Sequence, residues 1–246
     1  MEKNITLHIV EDYNALSKLG AEIFASAVNS NPQGNYGFAT GGTPEGMYEN
    51  LVAMSQAGTL DLKNITAFNL DEYVGLSQTS DQSYFYYMAN KLFNPTNVPV
   101  ENRNIPKGDA PCPVAEAARY EADIYAKGGI DFQILGIGTN GHIGFNEPDD
   151  HFAGPTSHVP LTQSTIDANT RYFADSSQVP RYAISMGIQT IMMAKTIMLL
   201  ASGESKAKTI ADALNGPITP QVPASALQLH QNVIVIADKA AAAFLS

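Results

Sequence analysis

Short, nearly uninterrupted apolar runs rich in β-branched residues recur along this chain, at 6–10, 36–40, 64–69, 132–136, 183–185, 197–201 and 233–237. Several lack the apolar–polar alternation of a strand with one wet face, so they read as strands covered on both sides. Between them lie stretches long enough for crossover helices. Asp12 is placed to cap one in which Leu16, Leu19, Ile23 and Ala27 form a stripe, and further helices are expected over 44–56, 82–92, 114–127 and 205–214. Strands alternating with helices predict right-handed crossovers and a mainly parallel sheet, hence a three-layer α/β architecture. The proline-rich spots at 94–99, 106–113 and 216–223 are too short to separate domains, so residues 1–246 are expected to form one domain. A chain of this length buries roughly three-quarters of its extended surface and needs no staples.

Charge narrows the partners. Asp and Glu number 24 against 14 Lys and Arg, a net charge of −10, which argues against nucleic acid or an anionic membrane as partner, because both need a basic field. The one cysteine, Cys112, excludes an intramolecular disulfide framework and any multi-cysteine metal site. Met1-Glu2-Lys3-Asn4 lacks the charged and apolar regions of a signal peptide, and no apolar run could span a bilayer. A cytoplasmic location is expected. Asn4-Ile5-Thr6 and Asn64-Ile65-Thr66 match the glycosylation pattern but fall in expected strands.

In open parallel sheets, ligands bind beyond the carboxyl ends of strands. Four of the runs lead there into polar or glycine-rich chemistry. Thr40-Gly41-Gly42-Thr43-Pro44 joins a strand to a helix, and two glycines with a helix N-terminus suit an anion; a tight turn capped by Thr43 is the simpler alternative. Ser202-Gly203-Glu204-Ser205-Lys206 puts a lysine in the first turn of a helix, against the macrodipole unless an anion lies near, although Glu204 could pair with it. Arg171, one of four arginines, carries a fork suited to phosphate or is a solvated loop residue. Gly136-Ile137-Gly138-Thr139-Asn140-Gly141 has the GxGxxG spacing of dinucleotide sites, but residues 142–148 start a helix poorly, and no strand ending in an acid follows about 20 residues on. The glycines fit better a loop presenting Asn140, His142 and Glu147, the amide, imidazole and carboxylate of an oriented acid–base group; a structural histidine in a glycine turn is the simpler alternative. That spacing is not that of a metal site, and neither metal nor cofactor is expected. Asp71 and Glu72 adjoin at a strand end; one could be a partly buried base, or both an acidic turn.

Taken in order, these segments resemble the glucosamine-6-phosphate deaminase (isomerase) family. The most specific are Phe68-Asn69-Leu70-Asp71-Glu72-Tyr73-Val74-Gly75-Leu76 and 136–148, ending in Phe145-Asn146-Glu147-Pro148. Gly203-Glu204-Ser205-Lys206-Ala207 and Ser225-Ala226-Leu227-Gln228-Leu229-His230 support it. The resemblance implies a Rossmann-like α/β sandwich that converts glucosamine 6-phosphate and water to fructose 6-phosphate and ammonia, with a small-molecule sugar phosphate as partner. It makes Asp71 the base that moves a proton between C2 and C1, and His142 the ring-opening acid–base, oriented by Asn140 and Glu147. Gly42, Thr43, Arg171 and Lys206 fall on its phosphate-binding positions. Some members carry Asp at the Asn140 position; an amide can orient an imidazole but cannot neutralise imidazolium. Galactosamine 6-phosphate or a sugar-phosphate lactone remains an alternative substrate. A silent sugar-phosphate sensor is disfavoured by the intact Asp71, His142 and Glu147 set.

Allosteric members of that family are hexamers that hold a second phosphate with basic residues between the Phe-Asn-Glu-Pro motif and the Arg171 position. Here no Lys or Arg occurs from Gly128 to Thr170, and residues 149–169 offer Asp149, Asp150 and Asp167 instead. The chain also ends soon after its last apolar run, without the longer tail of the hexameric type. A phosphate dianion would meet no fixed cation there, so differential binding to an active state has no source. A monomer or small homo-oligomer is expected. Initial rates against substrate should be hyperbolic and unchanged by N-acetylglucosamine 6-phosphate; sigmoidal curves that this compound straightens would contradict the reading.

Overall fold

A computed structural model describes residues 4–170, 173, 175 and 178–245. In chain order its strands are β1 (Ile5–Val10), β2 (Asn35–Phe38), β3 (Thr66–Asn69), β4 (Asp71–Tyr73), β5 (Arg103–Asn104), β6 (Phe132–Gly136), β7 (Ser157–Pro160), β8 (Tyr182–Ser185), β9 (Thr196–Ala201) and β10 (Val233–Asp238). The helices are α1 (Tyr13–Ser30), α2 (Glu45–Gln56), α3 (Tyr84–Met88), α4 (Pro113–Ala126), α5 (Gln163–Asn169), α6 (Ile188–Met192) and α7 (Ala207–Asn215). Seven strands form one sheet in the order β1-β10-β9-β6-β2-β3-β5, every pair parallel. Consecutive residues of β2, β9 and β10 are buried, so both faces are covered, as their unbroken apolar runs require.

The local signals act as expected at most ends. Asp12 Oδ1 accepts from Ala15 N at 2.9 Å and caps α1, Ser83 Oγ accepts from Tyr86 N and caps α3, and Pro113 opens α4. The buried face of α1, however, runs through Leu16, Gly20, Phe24 and Val28, while Leu19, Ile23 and Ala27 border the core. Gly20 is the reason. A Cβ there would stand 3.0 Å from Met47 Sδ, so the bare backbone is what lets α1 settle on α2. Phe24 then meets Tyr36, Phe38 and Phe132 with centroids 5.2, 5.5 and 5.8 Å away, which fixes the middle of the core. The helix expected over 82–92 is shorter: after α3 the backbone widens into a π-helical turn, Ala89–Phe93.

One strand assignment needs correcting in its partners. The run at 183–185 is β8, but it lies outside the parallel sheet, in a second, antiparallel sheet of order β4-β8-β7. Neither β4 nor β7 has an apolar run to announce it; both are ordered by pairing with β8. A separate apolar cluster of Tyr73, Phe145, Leu161, Ile166, Val179 and Ala183 packs beneath this small sheet. Buried Glu121 of α4 ties it down, accepting from Thr156 N at 3.0 Å and Thr190 Oγ1 at 2.9 Å.

Two consequences set up the site. The chain leaves β2 towards β3 and β5 and leaves β6 towards β9 and β10, so neighbouring β2 and β6 mark the point where strand order reverses. At the same edge, Asp71 pairs with Ser185, and Met186 N donates to Leu70 O at 2.8 Å. No helix among the described residues is long and apolar enough to cross a membrane. Gly108 braces β4 from outside: its carbonyl accepts from Gly75 N, and a Cβ on it would lie 2.2 Å from the Tyr73 carbonyl oxygen. Gly108→Ala should therefore cost about 1–3 kcal/mol, typical of overpacking, read as a lower denaturant midpoint with unchanged slope; an unchanged midpoint would show that the strand yields freely.

Candidate active site

A cavity of about 670 Å³ opens at the carboxyl edge of the parallel sheet. It brings together Gly42, Thr43, Asp71, His142 and Lys206, five of the residues expected from sequence. Asn140 and Glu147 stand behind His142 rather than on the cavity wall. Arg171 lies outside the described residues.

The glycine loop forms one wall. Tyr13 Oη donates to Gly42 O at 2.9 Å and accepts from Gly46 N at 2.8 Å, while Tyr87 Oη donates to Gly41 O at 2.7 Å. These tyrosines hold the turn from two sides. Gly41 has φ +102°, a conformation that only glycine adopts without strain. The alternative of a Thr43 cap is not what forms, because the residue preceding α2 is Pro44, at φ −78°. Opposite, the turn Glu204–Lys206 follows Gly203 at φ +90°. Asp238, at the end of β10, accepts from Gly203 N at 3.0 Å and Ala241 N at 2.7 Å and so sets where Lys206 begins.

The paired acids separate cleanly. Glu72 is 2% exposed; its Oε1 accepts from Tyr73 N and Tyr84 N, both at 2.9 Å, and its Oε2 from Phe85 N at 2.8 Å. It secures the start of α3. Burial outweighs these three donors and lifts its pKa to about 7. Asp71 is 5% exposed and lines the cavity, and no protein donor among the described residues bonds its carboxylate. Burial first, and the Glu72 charge second, raise its pKa to about 8. Its environment is that of a strong carboxylate base.

His142 lies across Gly138: a Cβ there would fall 2.3 Å from the ring's Cε1. Gly138 N also donates to His142 O at 2.9 Å, closing a tight loop instead of starting a helix, which removes the dinucleotide reading of 136–141. Nδ1 sits 3.4 Å from Glu147 Oε2, within ion-pair range but too loosely aligned for a hydrogen bond. Glu147 accepts from Asn140 Nδ2 at 2.6 Å on Oε2 and from Thr165 Oγ1 on Oε1. Its burial pushes its pKa up, but His142, Thr165 and Asn140 together hold it down at about 2. Asn140 therefore acts on the imidazole through Glu147, and its Oδ1 accepts from the His142 amide at 3.2 Å. Asn146 Nδ2 donates to Ile143 O at 2.8 Å and to Met186 O at 2.9 Å, and Phe145 N donates to Ser185 Oγ at 3.1 Å, which anchors the loop to the small sheet.

Tyr13, Tyr84 and Thr165 also line the cavity without having been singled out from sequence. Each comes from a helix start or face with no motif of its own; Ser205, also on the wall, stood inside a recognised segment.

A parallel α/β sheet gathers at its switch point a glycine loop, a buried carboxyl group and an imidazole backed by a carboxylate. Residues 12–236 match the family model for glucosamine-6-phosphate isomerases/6-phosphogluconolactonase, and the chain belongs to that family. It is 51% identical over 239 residues to the glucosamine-6-phosphate deaminase of Alkaliphilus oremlandii, covering 97% of this chain and 99% of that one. Identity to the enzyme of the same name from Clostridium novyi is 50% over 235 residues, 96% and 98% of the two chains. A solved monomeric glucosamine-6-phosphate deaminase superposes with TM-score 0.94 at 44% identity, covering 97% and 99%. The 6-phosphogluconolactonase of Thermotoga maritima, TM-score 0.74 at 18% identity over 96% and 100%, shares the fold. The Rossmann-like sandwich implied by the sequence is the observed one.

Asp71 leaves a thermodynamic trace. Its folded-state pKa of about 8 exceeds the roughly 3.9 of an unfolded Asp. The unfolded chain thus releases this proton first, and stability is lost as pH rises from about 4 through about 8. Asp71→Asn removes that loss. Its melting temperature should exceed that of the unsubstituted protein, by more at pH 8 than at pH 5; a gap independent of pH would refute the raised pKa.

Proposed function

We propose that this chain deaminates glucosamine 6-phosphate, yielding fructose 6-phosphate and ammonia with consumption of one water. The observation that carries the reading is a buried carboxylate, Asp71, that no donor among the described residues bonds, sharing one cavity with a carboxylate-backed imidazole, His142. The names of the half-identical relatives support it.

The phosphate binds against Gly42 and Thr43, with Lys206 and Arg171 supplying the positive charge that a chain of net charge −10 must concentrate locally. His142 takes the C1 hydroxyl proton and returns one to the ring oxygen, breaking the C1–O5 bond to give the open aldehyde. Glu147, held by Asn140, keeps the ring's orientation and balances its transient positive charge. Asp71 removes the C2 proton; the electron pair forms a C1–C2 double bond as the carbonyl π pair passes to O1. Asp71 returns the proton to C1, the nitrogen lone pair forms the C2–N double bond, and a nitrogen proton passes to O1. Water then adds across the resulting C2 imine to give a carbinolamine, whose hydroxyl proton passes to nitrogen as the C–N bond breaks and ammonia leaves. The chain supplies the proton carriers for ring opening and for the transfer from C2 to C1. The chain acts in the cytoplasm as a monomer or small homo-oligomer, as the monomeric relative supports.

The test compares ammonia release from glucosamine, N-acetylglucosamine and galactosamine 6-phosphates, without added metal or nucleotide. Release from the first is expected, and Asp71→Asn should slow it roughly 10²–10⁴-fold while suppressing exchange of the C2 proton with solvent. No ammonia from any of the three would end the reading; near-normal exchange in Asp71→Asn would remove Asp71 from it.

A further inference from the structure

We propose that Thr165 is a positioning residue for ring opening, acting on His142 through Glu147; the proposal rests on the deaminase reading above. Thr165 is 7% exposed, and its hydroxyl donates to Glu147 Oε1. The direction of that bond is set from behind. Thr162 Oγ1 donates to Thr165 Oγ1 at 3.1 Å, which leaves the single Thr165 hydroxyl proton for the carboxylate. A chain of hydroxyls thus runs from the start of α5 into Glu147.

Glu147 needs both anchors. The terminal torsion of a glutamate is broad, so one hydrogen bond leaves its carboxylate free to turn. Asn140 Nδ2 fixes Oε2 at 2.6 Å and Thr165 fixes Oε1, which together set the plane in which Oε2 faces His142 Nδ1 at 3.4 Å. Nδ1 is buried and makes no hydrogen bond among the described residues, so among them this contact is what biases its tautomer. With the Nδ1 proton held towards Glu147, the other ring nitrogen is left to accept a proton and give it back. Without Thr165, the carboxylate swings and the tautomer is no longer held.

A purely local role, closing the first turn of α5, is served by a different atom: Thr165 N donates to Thr162 Oγ1 at 3.3 Å. The side-chain hydroxyl is left for Glu147. Helix α5 ends at Asn169, two positions before Arg171 in sequence. The segment leading to the cation expected on the phosphate is therefore the segment that holds the carboxylate of the acid–base pair.

Thr165→Val keeps the shape and removes the hydroxyl; Thr165→Ser keeps the hydroxyl. The valine variant should lose roughly 10- to 100-fold in kcat for ammonia release, part of what a positioned acid–base group contributes, with KM within about threefold. The serine variant should recover most of it. Inhibition by 2-amino-2-deoxyglucitol 6-phosphate, an open-chain alditol that needs no ring opening, should be unchanged in both. Unchanged kcat in Thr165→Val, failure of serine to rescue, or parallel loss of alditol affinity would each overturn the proposal. No ammonia release from the unsubstituted protein would instead sink the reading on which it rests.

Discussion

A sheet of seven parallel strands whose central members are buried on both faces leaves one place where polar chemistry can gather. Each connection must return over the sheet, so all the carboxyl ends open on a single edge, and there the backbone is released from the ladder. The glycine loop follows β2, Asp71 follows β3, the loop of His142 follows β6, and Lys206 follows β9. Position in the sheet accounts for most of the site. The three-stranded antiparallel sheet supplies what an edge alone cannot, since pairing of Asp71 with Ser185 holds the base rigidly against the cavity.

Within that frame, two carboxylates are driven apart by surroundings. Asp71 is buried with no donor among the described residues, and its acidity falls; Glu147 is partly buried with donors on both oxygens, and stays ionised. One is prepared to take a proton, the other to stay charged beside an imidazole. Glu72 shows how fine the distinction is. It adjoins Asp71 in sequence and is equally buried, yet backbone amides occupy it and turn it into a piece of architecture.

Much of this was legible before any coordinates. Continuous apolar runs gave away the central parallel strands because such strands have no wet face, whereas β5, Arg103–Asn104, has no apolar run and was not expected; glycines at strand ends gave away the loops because left-handed backbone has few other tenants. What stayed hidden depended on distant partners. The segment 71–73 reads either as a partly buried base at a strand end or as an acidic turn until β8 pairs with it, and the stripe on α1 is displaced because Gly20, without a side chain to register in any apolar pattern, decides how close α2 can come. Thr165 was invisible for the same reason: nothing around it in sequence hints that its hydroxyl meets Glu147, eighteen positions earlier.

The strand order also dictates when the site can exist. β1 pairs with β10, so Ile5 finds Val233 only when nearly the whole chain has been made, and Asp71 waits for Ser185. A nascent chain emerging from the ribosome can assemble β2, β3 and β5 early, but Asp71 stays unpaired until Ser185 has been added, and the first strand until synthesis is almost complete. Non-local pairing of this kind slows folding and leaves apolar edges open to neighbours meanwhile. Truncated products of translation would accordingly carry Asp71, His142 and Glu147 without the fold that gathers them into one cavity.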